Sequence, residues 1–329
     1  MTGVKFINKC KIFTIIALIS LLLVGCQNDI GAPYNSVEYK DRFELVSLTS
    51  IEQANGFASD LCVGDDNKEY QDFVLDNVGA AGIFSISDNE IVYSNHIYAQ
   101  MYPASITKVL TALVAIKYGN LDQVLTATEN VYINESGAVL LGLKPGDSMT
   151  LEQALHFFLI KSANDVGNLI AENVGGSIEN FVNMMNEEAR LLGATKTNFV
   201  NTHGLHDNEH YTTVYDQYLI FQEAIKYDAF NQIISQVSYT STYKNANGEE
   251  VSVTVNSTNG YFNGMYEKPN GVTVLGGKTG TTNEAGHCLM IHVKDNSGRP
   301  YIAIMFCGST RSELYFEMSE ILEKIGADV

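Results

Sequence analysis

Residues 103–108 read Pro103-Ala104-Ser105-Ile106-Thr107-Lys108 and lead into the apolar run Val109–Ile116, which Gly119 closes. A long run rich in Leu and Ala that ends at a glycine predicts a buried helix, and a proline suits its start. Ser105 and Lys108 are three residues apart, so on a helix they share one face. A serine hydroxyl beside a neutral amine is a nucleophile beside a base, and a dry pocket and the helix dipole both favour that neutral form.

A second Ser-x-x-Lys, Ser241-Thr242-Tyr243-Lys244, is also present, and about one copy is expected by chance in a chain of this length. This copy lies in a polar, alternating stretch that is typical of a strand, where residues three apart point to opposite faces. Its serine and lysine are therefore not expected to meet. The helical context favours Ser105 and Lys108 as the functional pair.

A second short motif, Ser162-Ala163-Asn164, separates two predicted helices. A hydroxyl and an amide in a tight turn are placed to point into a cleft, but serine and asparagine also commonly cap helices. Both interpretations stay open from this motif alone, because the same pattern recurs as Ser257-Thr258-Asn259.

A third motif, Lys278-Thr279-Gly280, follows a short apolar strand predicted over 272–275. Along a strand, Lys278 and Gly280 share one face and Thr279 points to the other. A glycine in a strand lets a ligand or another backbone approach closely. A lysine inside an apolar strand is not typical of a solvated surface charge, so this motif also predicts a site.

The N-terminus is typical of an exported protein. Lys5, Lys9 and Lys11 precede the apolar run 12–24, which is short for a membrane span, and this order is that of a secretion signal. Leu23-Val24-Gly25-Cys26 resembles the lipobox of bacterial lipoproteins, in which the cysteine is lipidated; the alternative is a cysteine at an ordinary cleavage site. We predict a signal peptide over 1–25, lipidation of Cys26, a tether over 26–70, and a domain over 71–329 that is membrane-anchored outside the cytoplasm or secreted.

The composition excludes some partners. A formal net charge of −18 argues against nucleic acid, whose phosphates need basic patches, and against electrostatic attachment to anionic lipid. Removal of the signal and lipidation of Cys26 leave Cys62, Cys288 and Cys307, and an odd number does not suggest a disulfide scaffold. Cys288 and Cys307 face each other across a predicted hairpin, either as a cross-strand bridge or as buried free thiols.

Strand patterns lie at both ends of the domain, and helical patterns fill its middle, about residues 120–235. This order predicts the α+β class: one antiparallel sheet covered by the first and last helices, with an inserted helical lobe. We expect the cleft where the helical lobe meets the part of the domain that contains the sheet.

The order Ser-x-x-Lys, Ser-x-Asn, Lys-Thr-Gly resembles that of penicillin-binding proteins and class A β-lactamases. Outside these motifs, Met184-Met185-Asn186, Leu192-Gly193-Ala194 and Ala285-Gly286 are similar to the low-molecular-weight serine D-alanyl-D-alanine carboxypeptidases of peptidase family S11. The resemblance covers about residues 79–325 and implies a β-lactamase/DD-peptidase-like fold.

The resemblance also implies a role for each motif residue. Ser105 would attack the carbonyl between the last two D-alanines of a peptidoglycan stem peptide, Lys108 would accept its proton, and Ser162 would pass a proton to the leaving amine. Penicillins and other β-lactams would acylate the same serine, and neither a cofactor nor a metal is implied. The implied substrate-binding residues are Asn164 for the substrate amide, Lys278 and Thr279 for the terminal carboxylate, Gly280 on the strand that the substrate extends, Thr281 for an oxyanion hole with Ser105, and Arg311, whose alternative is a plain surface charge.

Three other functions stay open at this point. A β-lactamase of class A would need a Glu-x-x-x-Asn segment after the second motif, and no clear one is present. A non-catalytic penicillin sensor would keep the same acylation site. A zinc peptidase would need His203, His206 and His210 to meet, but Gly204 and a turn at 207–208 argue against a shared helix, so solvated loop histidines are expected.

Overall fold

The computed structural model describes residues 60–70 and 73–327, so the predicted signal peptide, Cys26 and most of the predicted tether lie outside the described residues. The strands are β1 (Ala80–Ser85), β2 (Glu90–Asn95), β3 (Val124–Thr126), β4 (Ser148–Thr150), β5 (Ser238–Lys244), β6 (Glu250–Asn256), β7 (Val272–Thr282), β8 (Gly286–Asp295) and β9 (Pro300–Gly308). The α-helices are α1 (Lys108–Tyr118), α2 (Leu151–Ile160), α3 (Asn164–Gly175), α4 (Ile178–Leu191), α5 (Val214–Ala224), α6 (Asp228–Ile234), α7 (Gly260–Asn263) and α8 (Arg311–Ala327).

The main sheet has five antiparallel strands in the order β2-β1-β9-β8-β7. Both of its faces are buried, because successive side chains of a strand alternate between two cores. On β9, Ile304 belongs to the larger core, which includes α1 and α5, whereas Met305 belongs to a second core under α8. The predicted α+β arrangement, with the first and last helices covering a sheet, is confirmed.

A second, four-stranded sheet has the order β3-β4-β5-β6, and here the prediction of a single sheet is wrong. The hairpin β5-β6 joins β4 through one residue pair, Ser148 with Lys244. Strands β3 and β4 have only 3 residues each, which is too short for alternation to reveal them. Ser241 and Lys244 lie on β5, and the serine hydroxyl accepts a hydrogen bond from Gln153, so this Ser-x-x-Lys pair does not form a site.

The helical lobe has conventional start signals that place its helices. Thr150 and Gln153 form a capping box at the start of α2, and Ser177 and Thr213 accept backbone N–H bonds at the starts of α4 and α5. Such caps typically stabilise a helix by about 1 kcal/mol each. The helix predicted from Pro103 begins later, at Lys108, because the residues before it form a 3₁₀ turn.

Residues 60–70 belong to the domain rather than to the tether in which we placed them. The side chain of Cys62 is fully buried, its backbone N–H donates to the Tyr218 hydroxyl at 2.9 Å, and Lys68 forms a β-bridge with Ser94.

The described thiols are free, and Cys288 is buried but Cys307 is exposed. A bulge between β8 and β9 displaces Cys307, whose φ of 59° departs from extended backbone. No helix in residues 60–70 or 73–327 is both long and apolar enough to span a bilayer.

Candidate active site

Ser105 lies in the 3₁₀ turn Ala104–Thr107 at the entrance to α1. Ala104 has a φ of 45°, a left-handed conformation that is costly for a residue with a Cβ atom. Surrounding contacts hold it there: Thr107 Oγ1 donates to the Ala104 carbonyl oxygen at 2.8 Å and lies 2.7 Å from His210 Nε2. Gly204 also packs against this carbonyl, where an added Cβ would lie only 1.8 Å from the oxygen. Ser105, the predicted nucleophile, is therefore held in a turn that these contacts fix.

Lys108 is fully buried directly below Ser105. Its Nζ lies 2.8 Å from Ser105 Oγ, 2.7 Å from Asn164 Oδ1 and 2.5 Å from the His203 carbonyl oxygen. Among the described residues no carboxylate is within ion-pair distance of it. Burial, and secondly the nearby Lys278, lower the pKa of Lys108 well below 10.5.

The neutral amine fits these three contacts in one way. A neutral amine has two N–H donors and one lone pair, whereas an ammonium has three donors and cannot accept. Asn164 Oδ1 and the His203 carbonyl are both acceptors, so they take the two N–H groups. The lone pair then faces the Ser105 hydroxyl, which is the orientation a general base needs.

Ser162 occupies the turn between α2 and α3 in a left-handed conformation, with a φ of 67°. Its hydroxyl is buried and accepts a hydrogen bond from Lys278 Nζ at 3.0 Å. Ala163, not Ser162, is the N-cap of α3, and no side chain caps that helix. The helix-cap interpretation of Ser162-Ala163-Asn164 is therefore wrong, because both polar side chains point to the two lysines instead.

Lys278 lies on the edge strand β7 and is also almost fully buried. Its Nζ donates to Ser162 Oγ and, at 2.8 Å, to the Thr279 carbonyl oxygen. Burial lowers its pKa to about 7. The strand alternates as predicted, with Lys278 and Gly280 facing inward and Thr279 facing the other way. Thr279 Oγ1 lies 2.8 Å from Thr258 Oγ1, so Ser257-Thr258-Asn259 borders the site after all.

Gly280 lets β7 approach the turn that carries Ser105. A Cβ at this position would lie 3.0 Å from both the Ser105 nitrogen and the Pro103 carbonyl oxygen. The strand and the turn are thus in direct contact at the residue before Thr281. Thr281 itself is exposed, and its hydroxyl donates to the Gly280 carbonyl oxygen at 2.7 Å.

Comparison with known proteins identifies the family of this chain. A sequence model of the D-alanyl-D-alanine carboxypeptidase family, peptidase family S11, matches residues 78–310. The chain belongs to this family. It is 29% identical over 242 residues to the D-alanyl-D-alanine carboxypeptidase DacF of Bacillus subtilis, covering 71% of this chain and 58% of that protein. It is 32% identical over 206 residues to DacB2 of Mycobacterium tuberculosis, covering 62% and 66%.

Solved structures agree on the fold of this S11 family member. The crystal structure of the Streptomyces K15 DD-transpeptidase superposes with a TM-score of 0.70 at 22% identity, covering 78% of this chain and 100% of that one. A D-alanyl-D-alanine carboxypeptidase from Mycobacterium tuberculosis gives a TM-score of 0.68 at 23% identity, covering 79% and 95%. The chain spans less than two thirds of the length of the curated relatives quoted above.

The close packing at Gly280 gives a prediction for this S11 family member. Gly280→Ala is expected to push β7 away from Ser105, because the new methyl group would contact backbone atoms at 3.0 Å. A displacement of about 1 Å costs on the order of 100-fold in rate, whereas overpacking costs only about 1–3 kcal/mol of stability. Stopped-flow acylation by a chromogenic penicillin, with a thermal melt as control, measures both. A wild-type acylation rate would show that the strand is not set by this contact.

Arg311 is the first residue of α8 and is exposed. Burial is the larger cause that lowers the pKa of His287, and the charge of Arg311 lowers it further. His287 on β8 pairs with Thr281 on β7. Arg311 therefore lies near the Thr281 end of β7. Its role toward a substrate carboxylate stays a prediction.

The loop histidines differ from the expectation of solvated side chains. His203 and His210 are buried because the loop folds under the turn that carries Ser105, and of these three histidines only His206 is exposed. Both nitrogens of His210 are occupied, by Thr107 Oγ1 and by the Val200 N–H. Burial lowers the pKa of His203 and His210 to about 3. Within the described ranges no three His, Cys, Asp or Glu side chains are grouped to hold a metal ion.

Asp165 is a site residue that the sequence argument did not single out. Its carboxylate is almost fully buried in the first turn of α3, next to Asn164. It accepts hydrogen bonds from the backbone of the preceding loop. An acidic residue at a helix start directly after Ser-Ala-Asn was the available signal.

Proposed function

We propose that this chain is a serine D-alanyl-D-alanine carboxypeptidase that removes the terminal D-alanine of peptidoglycan stem peptides through an acyl-enzyme on Ser105. The observation that carries the proposal is the buried Lys108 amine 2.8 Å from Ser105 Oγ, with no carboxylate of the described residues within ion-pair distance of it. Family membership supports the reaction class, and the names of the relatives supply the substrate.

Acylation begins when the Ser105 oxygen attacks the carbonyl carbon of the last peptide bond and its proton passes to Lys108. The backbone N–H groups of Ser105 and Thr281 would stabilise the oxyanion, and one such donor is typically worth about 10²–10³ in rate. The C–N bond then breaks. Ser162, whose hydroxyl accepts from Lys278, would relay a proton to the nitrogen of that bond: the hydroxyl gives one proton to the amine and regains the one that Lys108 took from Ser105. Lys108 is then neutral again, and free D-alanine leaves.

Deacylation repeats these steps with water. The water attacks the ester carbonyl and gives up a proton to the same base; the C–O bond to Ser105 then breaks as Lys108 returns that proton to the serine oxygen. The shortened peptide leaves with a new carboxylate, and the serine hydroxyl is restored. Asn164 would hold the substrate amide through its Nδ2, because its Oδ1 already accepts from Lys108.

Substrate recognition depends on the terminal carboxylate. Lys278 is a buried cation donor next to Thr279 on an edge strand, and a peptide that adds to this edge would place its carboxylate there. Arg311, near the Thr281 end of β7, is a second candidate to bind the carboxylate. β-Lactams would acylate Ser105 in the same way, since their ring amide mimics the scissile bond.

The location of the reaction is part of the proposal. A signal over 1–25 and a lipid on Cys26 would place the domain outside the cytoplasm, at the membrane that borders the peptidoglycan. Metabolic labelling with a palmitate analogue checks this point. We expect label on the wild-type chain and none on Cys26→Ser; equal labelling of both would contradict lipidation at this residue.

The function is tested by incubating the purified chain with an acyl-D-Ala-D-Ala peptide. We expect release of D-alanine that a chelator does not affect, that penicillin blocks and that Ser105→Ala abolishes. Loss of release with chelator would favour a zinc enzyme. Acylation without release would favour a penicillin sensor, and fast penicillin turnover would favour a β-lactamase.

A further inference from the structure

The carboxylate of Asp165 has an unusual set of partners. It is 1% exposed and accepts hydrogen bonds from three consecutive backbone N–H groups: Leu141 at 2.8 Å, Gly142 at 2.7 Å and Leu143 at 3.0 Å. No lysine or arginine side chain forms an ion pair with it among the described residues. Hydrogen bonds to an ionised group are the strong ones, so Asp165 fixes the loop 139–143 on the start of α3.

The same loop contacts Asn164, the neighbour of Asp165. The Val139 carbonyl oxygen accepts a hydrogen bond from the Asn164 N–H at 2.7 Å. On its other side, the Asn164 side chain accepts from Lys108 Nζ at 2.7 Å. The loop thus holds the main chain of Asn164, and Lys108 holds its side chain.

We infer that Asp165 is a positioning residue of the active site: by anchoring the loop 139–143 it sets the orientation of Asn164 toward Lys108 and toward the substrate. The inference deepens the proposed function and rests on it. Asp165 makes no contact with the reacting atoms, so it acts through Asn164 and through its charge.

The charge of Asp165 acts on Lys108 as well. The groups that influence the pKa of Lys108 are burial, which lowers it most, Lys278, which also lowers it, and Asp165, which raises it. His203 and His210 lie close by but are uncharged at neutral pH, because burial lowers their pKa to about 3. Removing the carboxylate charge therefore lowers the pKa of Lys108 further.

The direction of this change separates positioning from simple structural support. The neutral amine is the base, so the acylation rate rises as pH passes upward through the pKa of Lys108. This rising part of the pH profile is its acid limb. Without the charge of Asp165, the acid limb moves to lower pH. A variant that merely loosened the site would admit water and relieve the burial of Lys108, which moves the limb to higher pH.

The test is the pH profile of acylation by a fluorescent penicillin for the wild type and Asp165→Asn. We expect the rate at the optimum to fall on the order of 10- to 100-fold through misplacement of Asn164. The acid limb is expected to shift down by on the order of half to one pH unit. Asp165→Glu keeps the charge but misplaces the carboxylate, so we expect a lowered rate and an unshifted limb.

Asp147→Asn is the matched control. Asp147 is also a buried carboxylate of the helical lobe, 4% exposed, and it accepts from the Lys144 N–H at 2.9 Å and the Ala246 N–H at 3.2 Å. It contacts neither Asn164 nor Lys108, and it is not among the causes that shift the pKa of Lys108. This variant is expected to lose thermal stability but to keep the acid limb of the wild type.

Amide hydrogen exchange gives a second result that does not depend on the chemistry. Exchange at Leu141, Gly142 and Leu143 is expected to accelerate in Asp165→Asn, whether or not Ser105 is acylated. An acylation rate of Asp165→Asn equal to that of the wild type, or an acid limb that moves to higher pH, would overturn the inference. If Asp165→Asn does not fold, a wild-type acylation rate in Asp165→Glu would overturn it instead. A wild type that penicillin does not label would instead refute the proposed function.

Discussion

Replacing Lys108 with methionine is expected to lower the rate of acylation at Ser105 by about 10²–10⁴-fold, the range that a positioned general base contributes. Methionine fills a similar volume but has no lone pair of comparable basicity for the serine proton. The measurement is the second-order rate of covalent labelling by a fluorescent penicillin at pH 8. A thermal melt checks folding, because Asn164 Oδ1 and the His203 carbonyl lose their donor in this variant.

Lys108→Arg is the control that separates charge from basicity. A guanidinium keeps a cation and N–H donors but does not lose its proton in proteins. If Lys108 acted as a cation, the arginine variant would keep much of the rate. We expect it to be as slow as the methionine variant. Labelling of either variant within tenfold of the wild type would contradict the assignment of Lys108 as the base.

Replacing Lys278 with methionine is expected to lower kcat/KM for D-Ala-D-Ala peptides by about 10²–10³-fold, the usual cost of removing one partner of a buried charge pair. The pKa of Lys278 is about 7, so the free protein carries this cation below pH 7 and loses it above. In the wild type, kcat/KM should therefore fall as pH rises through about 7. A bound carboxylate favours the charged lysine, so the corresponding fall in kcat should lie at higher pH.

Lys244→Met is the matched control for Lys278→Met. Lys244 belongs to the Ser-x-x-Lys copy on β5, and its side chain is exposed. This variant is expected to keep both the wild-type kcat/KM and its basic limb. A Lys278→Met enzyme that retained the limb near pH 7 would show that another group binds the carboxylate.

The features of the site that could be predicted from the sequence are local ones, between residues close together in the chain. The spacing of Ser105 and Lys108 was sufficient to predict that hydroxyl and amine meet, because residues three apart are neighbours both in the predicted α-helix and in the 3₁₀ turn that the structure shows. The alternation along β7 likewise predicted that Lys278 and Gly280 share a face. The opposite outcome for Ser241 and Lys244 follows from the same rule applied to a strand.

The parts that the sequence did not predict depend on contacts between distant segments. Lys108 meets Asn164 across 56 residues, and Lys278 meets Ser162 across 116. Motif order indicated that these segments converge, but it gave no partner for a particular atom. The carbonyl of His203, which takes one N–H of Lys108, is invisible in a sequence because every residue has one.

Two further features were not predicted from the sequence, for different physical reasons. The strands β3 and β4 have 3 residues each, fewer than the roughly four to eight over which alternation can be recognised, so the second sheet was missed. The left-handed backbone at Ala104 and Ser162 opposes local preference, and such conformations persist only where tertiary contacts impose them. Both strained residues border the proposed reaction centre.

The central claim is that the Lys108 amine is uncharged before substrate binds. The most direct test is NMR of the protein labelled with ¹³C at the lysine ε-carbons, titrated from pH 5 to 11 and assigned with Lys108→Arg and Lys278→Met. The account predicts that the Lys108 signal is that of a neutral amine at pH 8, with a pKa well below 10.5. A Lys108 signal that titrates near 10.5, like those of exposed lysines, would contradict it.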